Sequence, residues 1–315
     1  MSREPERAWR RPAMPPPGRI AAAPISWGVC EVPGWGLWVP PERVLAEARS
    51  LGLGAIEAGP PGYLPADPVA LRSLLDRFEL RLVAGFVALV LHDPGRLDET
   101  LAEAGRAAAA LADGGAEVLV VAAASGGAGY DDPAGIGEAG WDQLTRALER
   151  VQALSERHGL ALALHPHAGT LVERNEQVLR LLDRSPVALC LDTGHLLLGG
   201  TDPAALAREV PQRVRHVHLK DLDLGLAELV AGGRLGYQEA VRQGLYRPLG
   251  AGGAQIAEVV TELELAGYRH WYVLEQDLAI DAEPAPGDGP FNDLSSSLEF
   301  LGRVPRWPSV LPGPG

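Results

Sequence analysis

The chain has 315 residues, with 41 acidic and 28 basic side chains, which gives a formal net charge of −13. An acidic excess of this size argues against a protein that binds nucleic acid or anionic membranes, because such proteins present basic surfaces. The hydrophobic fraction of 46% and the charged fraction of 22% are typical of a globular protein with a large core, which excludes a disordered or fibrous chain.

Residues 1–18 contain no apolar stretch, so we expect a disordered leader rather than a signal peptide. Two cysteines, Cys30 and Cys190, are too few for a disulfide framework. No apolar run approaches the roughly 18–20 residues of a membrane span. These features predict a soluble cytoplasmic protein that binds neither membranes nor nucleic acid.

Past the leader, apolar runs of strand length recur along the chain. They cover residues 19–26, 55–58, 81–90, 117–123, 160–164, 187–191, 213–219 and 271–274. Segments with Ala, Leu or Val at i, i+3 and i+4 spacing lie between and after these runs and predict amphipathic helices. They cover residues 42–51, 68–78, 95–112, 140–158, 174–183, 203–210, 255–265 and 294–301.

Strands that alternate with helices indicate βαβ units and a parallel sheet. Eight such units in about 285 residues predict an α/β fold, a single (β/α)8 TIM barrel over residues 19–303, followed by a proline-rich tail over residues 304–315. A doubly wound sheet is the alternative, but no Gly-x-Gly-x-x-Gly motif follows the first strand.

Two connections differ from the short turns between the other elements. The glycine-rich stretch 126–129 follows the fourth strand and lacks the Lys-Ser/Thr pair of a phosphate-binding loop, so we expect a flexible active-site loop. The stretch 223–250 is the longest connection, and we expect it to carry short helices over the mouth of the barrel.

Polar side chains concentrate where the fifth to eighth strands end. His165, Asp192, His218 and Glu275 occupy equivalent places on these four strands. Catalytic groups of TIM barrels project from the carboxyl ends of the strands, and alternate residues of a strand share a face, so the four side chains should converge. A single residue of this kind is more often packed or part of a turn, but two imidazoles and two carboxylates together form a ligand set that suits Mn, Co, Fe or Zn.

Six segments of the sequence resemble the inosose dehydratases of myo-inositol catabolism, within the xylose isomerase-like superfamily of sugar isomerases and epimerases. Four are Leu-His-Pro-His-Ala-Gly-Thr-Leu-Val-Glu at 164–173, Leu-Asp-Thr-Gly-His-Leu at 191–196, His-Val-His-Leu-Lys-Asp at 216–221 and Leu-Glu-Gln-Asp at 274–277. The other two are Ala-Pro-Ile-Ser-Trp-Gly-Val at 23–29 and Ile-Glu-Ala-Gly-Pro-Pro-Gly-Tyr-Leu-Pro at 56–65. The resemblance covers roughly residues 20–300 and implies a metal-dependent TIM-barrel enzyme.

Two departures from the superfamily pattern bear on the reaction. The epimerases hold their metal with Glu, Asp, His and Glu; the last three correspond to Asp192, His218 and Glu275, whereas the first corresponds to His165, as in the dehydratase-like branch. Loss of that glutamate disfavours symmetric proton transfer between two carboxylates. At 248–256 the chain reads Pro-Leu-Gly-Ala-Gly-Gly-Ala-Gln-Ile, where relatives carry an acidic residue and Val-Asp-Phe.

The resemblance implies a lyase that dehydrates a cyclic keto-polyol such as scyllo-inosose (2-keto-myo-inositol) with a divalent metal, Mn or Co before Zn, Fe or Mg. The alternative is a sugar (phosphate) isomerase or ketose 3-epimerase that uses the same enediolate chemistry. A metal-dependent endonuclease and a non-catalytic sugar-binding barrel are further, less favoured hypotheses. By analogy with other barrels of the family, we expect a homodimer.

Roles for the remaining polar side chains follow from their positions at the strand ends. The candidate catalytic residues are His167, His195 and Lys220, because imidazoles exchange protons near neutral pH and an ammonium can steady an oxyanion or hydroxyl. The candidates for substrate contact are Trp27, Glu57 and His216, with Trp35 as a second ring. A salt bridge of Lys220 with Asp221 or Glu275, and a structural role for Glu57, remain alternatives.

Overall fold

The structure, a computed structural model, describes residues 19–127, 135–305 and 307. The predicted leader 1–18, residues 128–134 after the fourth strand and most of the predicted tail lie outside the described residues. The glycine-rich loop expected at 126–129 is therefore described only at its first two positions.

Eight parallel strands close into a barrel, confirming the predicted fold. The described part of the chain has ten strands, of which β8 and β9 lie outside the barrel: β1 (Ile20–Ala22), β2 (Ala55–Glu57), β3 (Arg81–Leu89), β4 (Val118–Ala123), β5 (Ala161–Leu164), β6 (Leu189–Asp192), β7 (Val214–Leu219), β8 (Asp221–Leu222), β9 (Tyr246–Arg247) and β10 (Tyr272–Leu274). β8 and β9 form a separate antiparallel pair, and β10 closes the barrel by pairing with β1. The barrel strands are apolar along most of their length because side chains are covered on both faces of the sheet.

Helices surround the barrel and cover its mouth. They are α1 (Pro41–Ser50), α2 (Pro68–Arg77), α3 (Leu97–Asp113), α4 (Glu138–Arg157), α5 (Asn175–Arg184), α6 (Thr193–Leu198), α7 (Pro203–Glu209), α8 (Leu224–Ala231), α9 (Tyr237–Arg242), α10 (Ile256–Leu265) and α11 (Pro290–Leu301). The eight predicted helices correspond to eight of these, and α8 and α9 are the short helices expected in the long connection 223–250.

Two local differences from the sequence prediction have clear physical causes. The first strand ends at Ala22 because Pro24, which has no N–H to donate to the sheet, begins a 3-10 turn over Pro24–Trp27. Helix α6 was not predicted; it begins directly after β6, where the Asp192 carboxylate accepts a hydrogen bond from the His195 backbone N–H at 2.8 Å and caps the first turn.

Small and branched side chains fill the barrel interior on the side away from the mouth. They include Ala21, Val83, Ala163 and Val273, all buried. Since these side chains are apolar and closely packed, the candidate functional groups are expected at the carboxyl ends of the strands.

The packed structure continues past the predicted boundary at residue 303. Val304 is only 6% exposed and belongs to the main core, and the ring of Trp307 lies 5.3 Å from that of Tyr272. The beginning of the predicted tail is therefore part of the barrel. Within the described ranges, no helix has the length and apolar character needed to cross a membrane.

Candidate metal centre and catalytic cavity

The four side chains predicted as metal ligands converge at the carboxyl ends of their strands. His165 follows β5, Asp192 ends β6, His218 lies in β7 and Glu275 follows β10, and each offers a ligand atom within 4.8 Å of the others. The register of the barrel strands sets this arrangement. Asp192 of β6 and Val273 of β10 both pair with His218 of β7, and Glu275 follows Val273 by two residues. His165, Asp192 and His218 are almost fully buried.

Close contacts link these four groups. His165 Nε2 lies 3.2 Å from Asp192 Oδ2, and His218 Nδ1 lies 2.7 Å from Glu275 Oε2 and 3.6 Å from Asp192 Oδ2. Burial disfavours the charged form of Asp192, but the charge of Lys220 and hydrogen bonds from the imidazoles hold its pKa well below the usual range. Burial lowers the pKa of His165, which keeps this imidazole neutral and able to act as a ligand.

Unsatisfied atoms test whether the cluster fits a metal ion. Among the described residues, His218 Nδ1 and Glu275 Oε2 make no hydrogen bond of acceptable geometry, although they are buried and only 2.7 Å apart. Buried polar atoms without a partner are rare in folded proteins. Here two buried atoms in one cluster of imidazoles and carboxylates have ion-pair contacts but no hydrogen bond, and a divalent transition metal fits as a shared partner for both.

Two neighbouring clusters are less suited to a metal. In the group His165, Cys190 and His218, burial raises the pKa of the Cys190 thiol to about 11, which disfavours the thiolate that metal binding needs. In the other group, Glu57 Oε1 accepts hydrogen bonds from His216 Nε2 at 2.7 Å and His218 Nε2 at 3.1 Å. Although burial opposes it, these imidazoles hold the pKa of Glu57 well below its usual range.

A cavity opens beside the cluster and is lined by side chains from several strand ends. The side chains that line it include His167, Lys220, Glu57, Asp277 and Trp35, together with three of the four predicted ligands, His165, His218 and Glu275. Asp192 lies behind them, 0% exposed.

Lys220 is held by carboxylates on several sides. Its Nζ lies 2.8 Å from Asp277 Oδ1, 3.2 Å from Glu275 Oε2 and 3.5 Å from Asp192 Oδ2. Burial disfavours its charge, but the three carboxylates raise its pKa well above the usual range. The alternative partner named from the sequence, Asp221, instead accepts backbone hydrogen bonds from the loop 250–254.

His167 faces the cavity with a defined tautomer. Its Nδ1 donates a hydrogen bond to the Ala168 carbonyl at 2.9 Å, which places the proton on Nδ1 and leaves Nε2 as the basic nitrogen. Burial and the neighbouring charges lower the pKa of His167 to about 3. The ring packs against that of His195 with centroids 3.8 Å apart.

His195 is 1% exposed and lies behind the cavity wall. Its Nδ1 accepts a hydrogen bond from the Ala168 N–H at 3.3 Å, and its Nε2 lies 3.2 Å from Lys220 Nζ. His195 therefore contacts His167 and Lys220 and, unlike them, is not among the residues that line the cavity.

Two predicted substrate contacts need correction. Trp27 is 1% exposed, and its indole Nε1 donates to Glu47 Oε2 at 2.8 Å, on the core side of the turn and outside the cavity lining. Trp35 lines the cavity instead. His216 is fully buried beneath Glu57 and also lies outside the lining, so it contacts the Glu57 carboxylate and not the cavity.

Sequence reasoning gave no role to Asp277 or to two tyrosines of the long connection. Tyr237 donates a hydrogen bond from its hydroxyl to Asp277 Oδ2 at 2.7 Å, and the hydroxyls of Tyr237 and Tyr246 lie 3.1 Å apart. The signal for Asp277 was its position two residues after Glu275, on the same face. No spacing pattern in the sequence identifies the two tyrosines, because they lie in α9 and β9 of the long connection and not on a barrel strand.

The fold and this site define a (β/α)8 barrel with a buried histidine–carboxylate cluster at the carboxyl ends of its strands. The sequence model of the family described as xylose isomerase-like TIM barrel matches residues 45–303. An inosose dehydratase of Geobacillus kaustophilus (strain HTA426) is 32% identical over 299 residues, which cover 91% of this chain and 95% of that protein. The rhizopine catabolism protein MocC of Rhizobium meliloti is 33% identical over 273 residues, or 82% of this chain and 81% of that one.

The chain therefore belongs to the xylose isomerase-like TIM barrel family, as the sequence resemblance implied. Solved structures with a similar fold include the following two. The IOLI protein with a bound zinc atom superposes with a TM-score of 0.66 at 14% identity and covers 92% of this chain and 99% of its own. The probable 3-DHS dehydratase AsbF of Bacillus anthracis has a TM-score of 0.66 at 15% identity and covers 90% and 99%.

Proposed function

We propose that this protein is a metal-dependent dehydratase, a carbon–oxygen lyase, that acts on a neutral cyclic keto-polyol such as scyllo-inosose. The observation that carries the proposal is the cluster of His165, Asp192, His218 and Glu275, which adjoins a cavity lined by His167 and Lys220. The inosose dehydratases that match the chain over most of its length support this reaction class.

The four clustered residues would hold the metal, and a bound divalent ion supplies Lewis-acid stabilisation of negative charge on the substrate carbonyl oxygen. The ligand set favours Mn²⁺ or Co²⁺, and the zinc in the IOLI structure keeps Zn²⁺ among the candidates. The corresponding proposal for the cell is a role in inositol catabolism in the cytoplasm.

His167 is the proposed base. Its Nε2 takes the proton from the carbon next to the carbonyl, since Nδ1 already donates to Ala168. The bond from the next carbon to its hydroxyl then breaks, and the proton held by His167 passes to the departing hydroxyl, which leaves as water. His167 thus returns to its initial state, and the substrate loses one water.

Lys220 acts as a hydrogen-bond donor to a substrate hydroxyl or oxyanion. Its ammonium is fixed by Asp277, Glu275 and Asp192, all within 3.5 Å, so it presents a positive charge at a defined place. A group anchored by three carboxylates is suited to positioning charge rather than to releasing a proton.

The charge of the cavity favours an uncharged substrate over a sugar phosphate. Among the described residues that line it, Glu31, Glu57, Glu275 and Asp277 carry carboxylates, and Lys220 is the one lysine or arginine. Phosphate sites are built from arginine, lysine or helix N-termini. The lining therefore disfavours the phosphorylated form of the isomerase alternative.

Product analysis tests the reaction. Purified protein, analysed for bound metal, is incubated with inososes and ketoses, and we expect loss of one water with new ultraviolet absorbance from the conjugated product. Products of unchanged mass would instead establish isomerisation or epimerisation. Asp192→Ala and Glu275→Ala should abolish turnover with the fold retained. The control, Glu149→Ala on the exposed face of α4, should keep its turnover. Full activity in both site variants would disprove the proposed site.

A further inference from the structure

We propose that Glu57 is a positioning residue for the metal centre: its carboxylate orients His218 so that Nδ1 faces the metal, and His216 holds Glu57 in place. This inference rests on the proposed metal-dependent function. It replaces the role of substrate contact that the sequence suggested for Glu57 and His216.

The first support is a contact that crosses the barrel. Glu57 ends β2, whereas His218 lies in β7, and β1 and β10 separate these strands in the barrel wall. Glu57 Oε1 nevertheless lies 3.1 Å from His218 Nε2, between residues 161 positions apart in the chain. All three side chains, those of Glu57, His216 and His218, are at most 5% exposed, so water does not compete for these hydrogen bonds.

The second support is the tautomer that this contact imposes. A carboxylate only accepts hydrogen bonds, so His218 Nε2 carries a proton and donates it to Glu57. An imidazole that binds a metal is neutral and has one N–H; since Nε2 keeps that proton, the lone pair available to the metal lies on Nδ1. Nδ1 is the nitrogen 2.7 Å from Glu275 Oε2 and 3.6 Å from Asp192 Oδ2, which places it inside the ligand cluster.

His216 completes the arrangement from the same strand. It lies two residues before His218, on the same inward face of β7, and its Nε2 is 2.7 Å from the same Glu57 oxygen. Two donors from one strand restrict the rotation of the Glu57 carboxylate. His165 provides a contrast within the site, because its Nδ1 has no hydrogen-bond partner in the described part of the chain.

Metal-binding histidines nearly always donate their second N–H to such a group, and removal of that partner typically weakens metal binding roughly 10- to 100-fold. The test measures the affinity of purified, metal-free protein for Zn²⁺ and Co²⁺ by competition with a chelator. Glu57→Ala should weaken binding by roughly 10- to 100-fold, and Glu57→Gln, whose amide oxygen still accepts a hydrogen bond, by less.

Asp277→Asn is the matched control. It also removes one buried carboxylate from the cavity, but its partners are Lys220 and Tyr237 rather than His218. We expect a clearly smaller loss of metal affinity than in Glu57→Ala. An equal loss in the two variants would show that general charge, and not orientation of His218, sets the affinity, and would overturn the inference.

A measurement on the unmodified chain avoids any failure of the variants to fold. Nitrogen chemical shifts of 15N-histidine-labelled, zinc-loaded protein should show His218 protonated at Nε2 and metal-bound at Nδ1; the opposite assignment would overturn the inference. Unchanged metal affinity in the Glu57 variants, together with a raised KM, would assign Glu57 to substrate instead. If the unmodified protein and Asp192→Ala bind metal equally, the proposed metal centre itself is wrong.

Discussion

Asp221 should hold the loop 248–254 against the barrel, and Asp221→Ala should destabilise the protein by about 3–5 kcal/mol. The buried carboxylate accepts hydrogen bonds from the backbone N–H of Gly250 (2.8 Å), Gly252 (3.0 Å) and Ala254 (2.8 Å). Each lost hydrogen bond to a charged group costs about 1.5–3 kcal/mol. We take the lower end of that range, about 1.5 kcal/mol each and so roughly 4.5 kcal/mol for the three, because water can reach the N–H groups of exposed Gly250 and Gly252 in the variant.

The assay is chemical denaturation, in which a change of midpoint without a change of slope reports a change of stability. Gly252→Ala tests the same contact from the loop side, since a Cβ there would lie 2.5 Å from Asp221 Oδ1 and even closer to the Leu222 carbonyl. Gly253→Ala is the control, because the three atoms nearest to its Cβ belong to the exposed side chain of Leu224 and not to Asp221.

The double variant Asp221→Ala/Gly252→Ala should lose less than the sum of the two single losses, because both changes remove the same contact. A loss below about 1 kcal/mol for Asp221→Ala would refute the reasoning, because a single ordinary hydrogen bond accounts for that much.

Three further predictions follow from the site and its support. Trp27→Phe removes the hydrogen bond to buried Glu47 and should cost about 1–3 kcal/mol in stability with KM unchanged. Trp35→Ala, at a residue that lines the cavity, should instead raise KM. A raised KM for Trp27→Phe would show that Trp27 contacts the substrate after all. Tyr237→Phe removes a donor to Asp277 and should lower kcat while metal affinity stays unchanged; equal kcat would show that Asp277 needs no support. Metal at 100 times its Kd should stabilise the protein by about 2.7 kcal/mol in thermal unfolding, and not at all in Glu275→Ala.

The barrel and the four clustered side chains could be predicted from the sequence because both depend on short-range regularities. Strand runs alternate with amphipathic helices, and the topology of a barrel brings the ends of its parallel strands together. His165, Asp192, His218 and Glu275 each follow or end a strand, so knowledge of the strands sufficed to place them near one another.

The errors arose where a side-chain direction depends on a turn or on a distant partner. Trp27 lies at the end of a 3-10 turn that Gly28 terminates with a φ of 80°, and this turn directs the indole to Glu47 and away from the cavity. The hydrogen bond between Glu57 and His218 joins residues 161 positions apart in the chain and crosses the barrel, so no local sequence pattern predicts it. Tyr237 reaches Asp277 from α9, which the sequence placed only as a cover for the mouth.

The charge balance inside the barrel connects the metal, Lys220 and His218. Three buried carboxylates, those of Glu57, Asp192 and Asp277, and the mostly buried carboxylate of Glu275 lie around the ammonium of Lys220, and uncompensated buried charge is costly. In the metal-free protein this imbalance raises the pKa of His218 well above its usual value, despite burial, so the imidazole carries part of the missing positive charge. A divalent cation that binds at Nδ1 must displace that proton, so metal binding exchanges one positive charge for two at the point where the carboxylates converge.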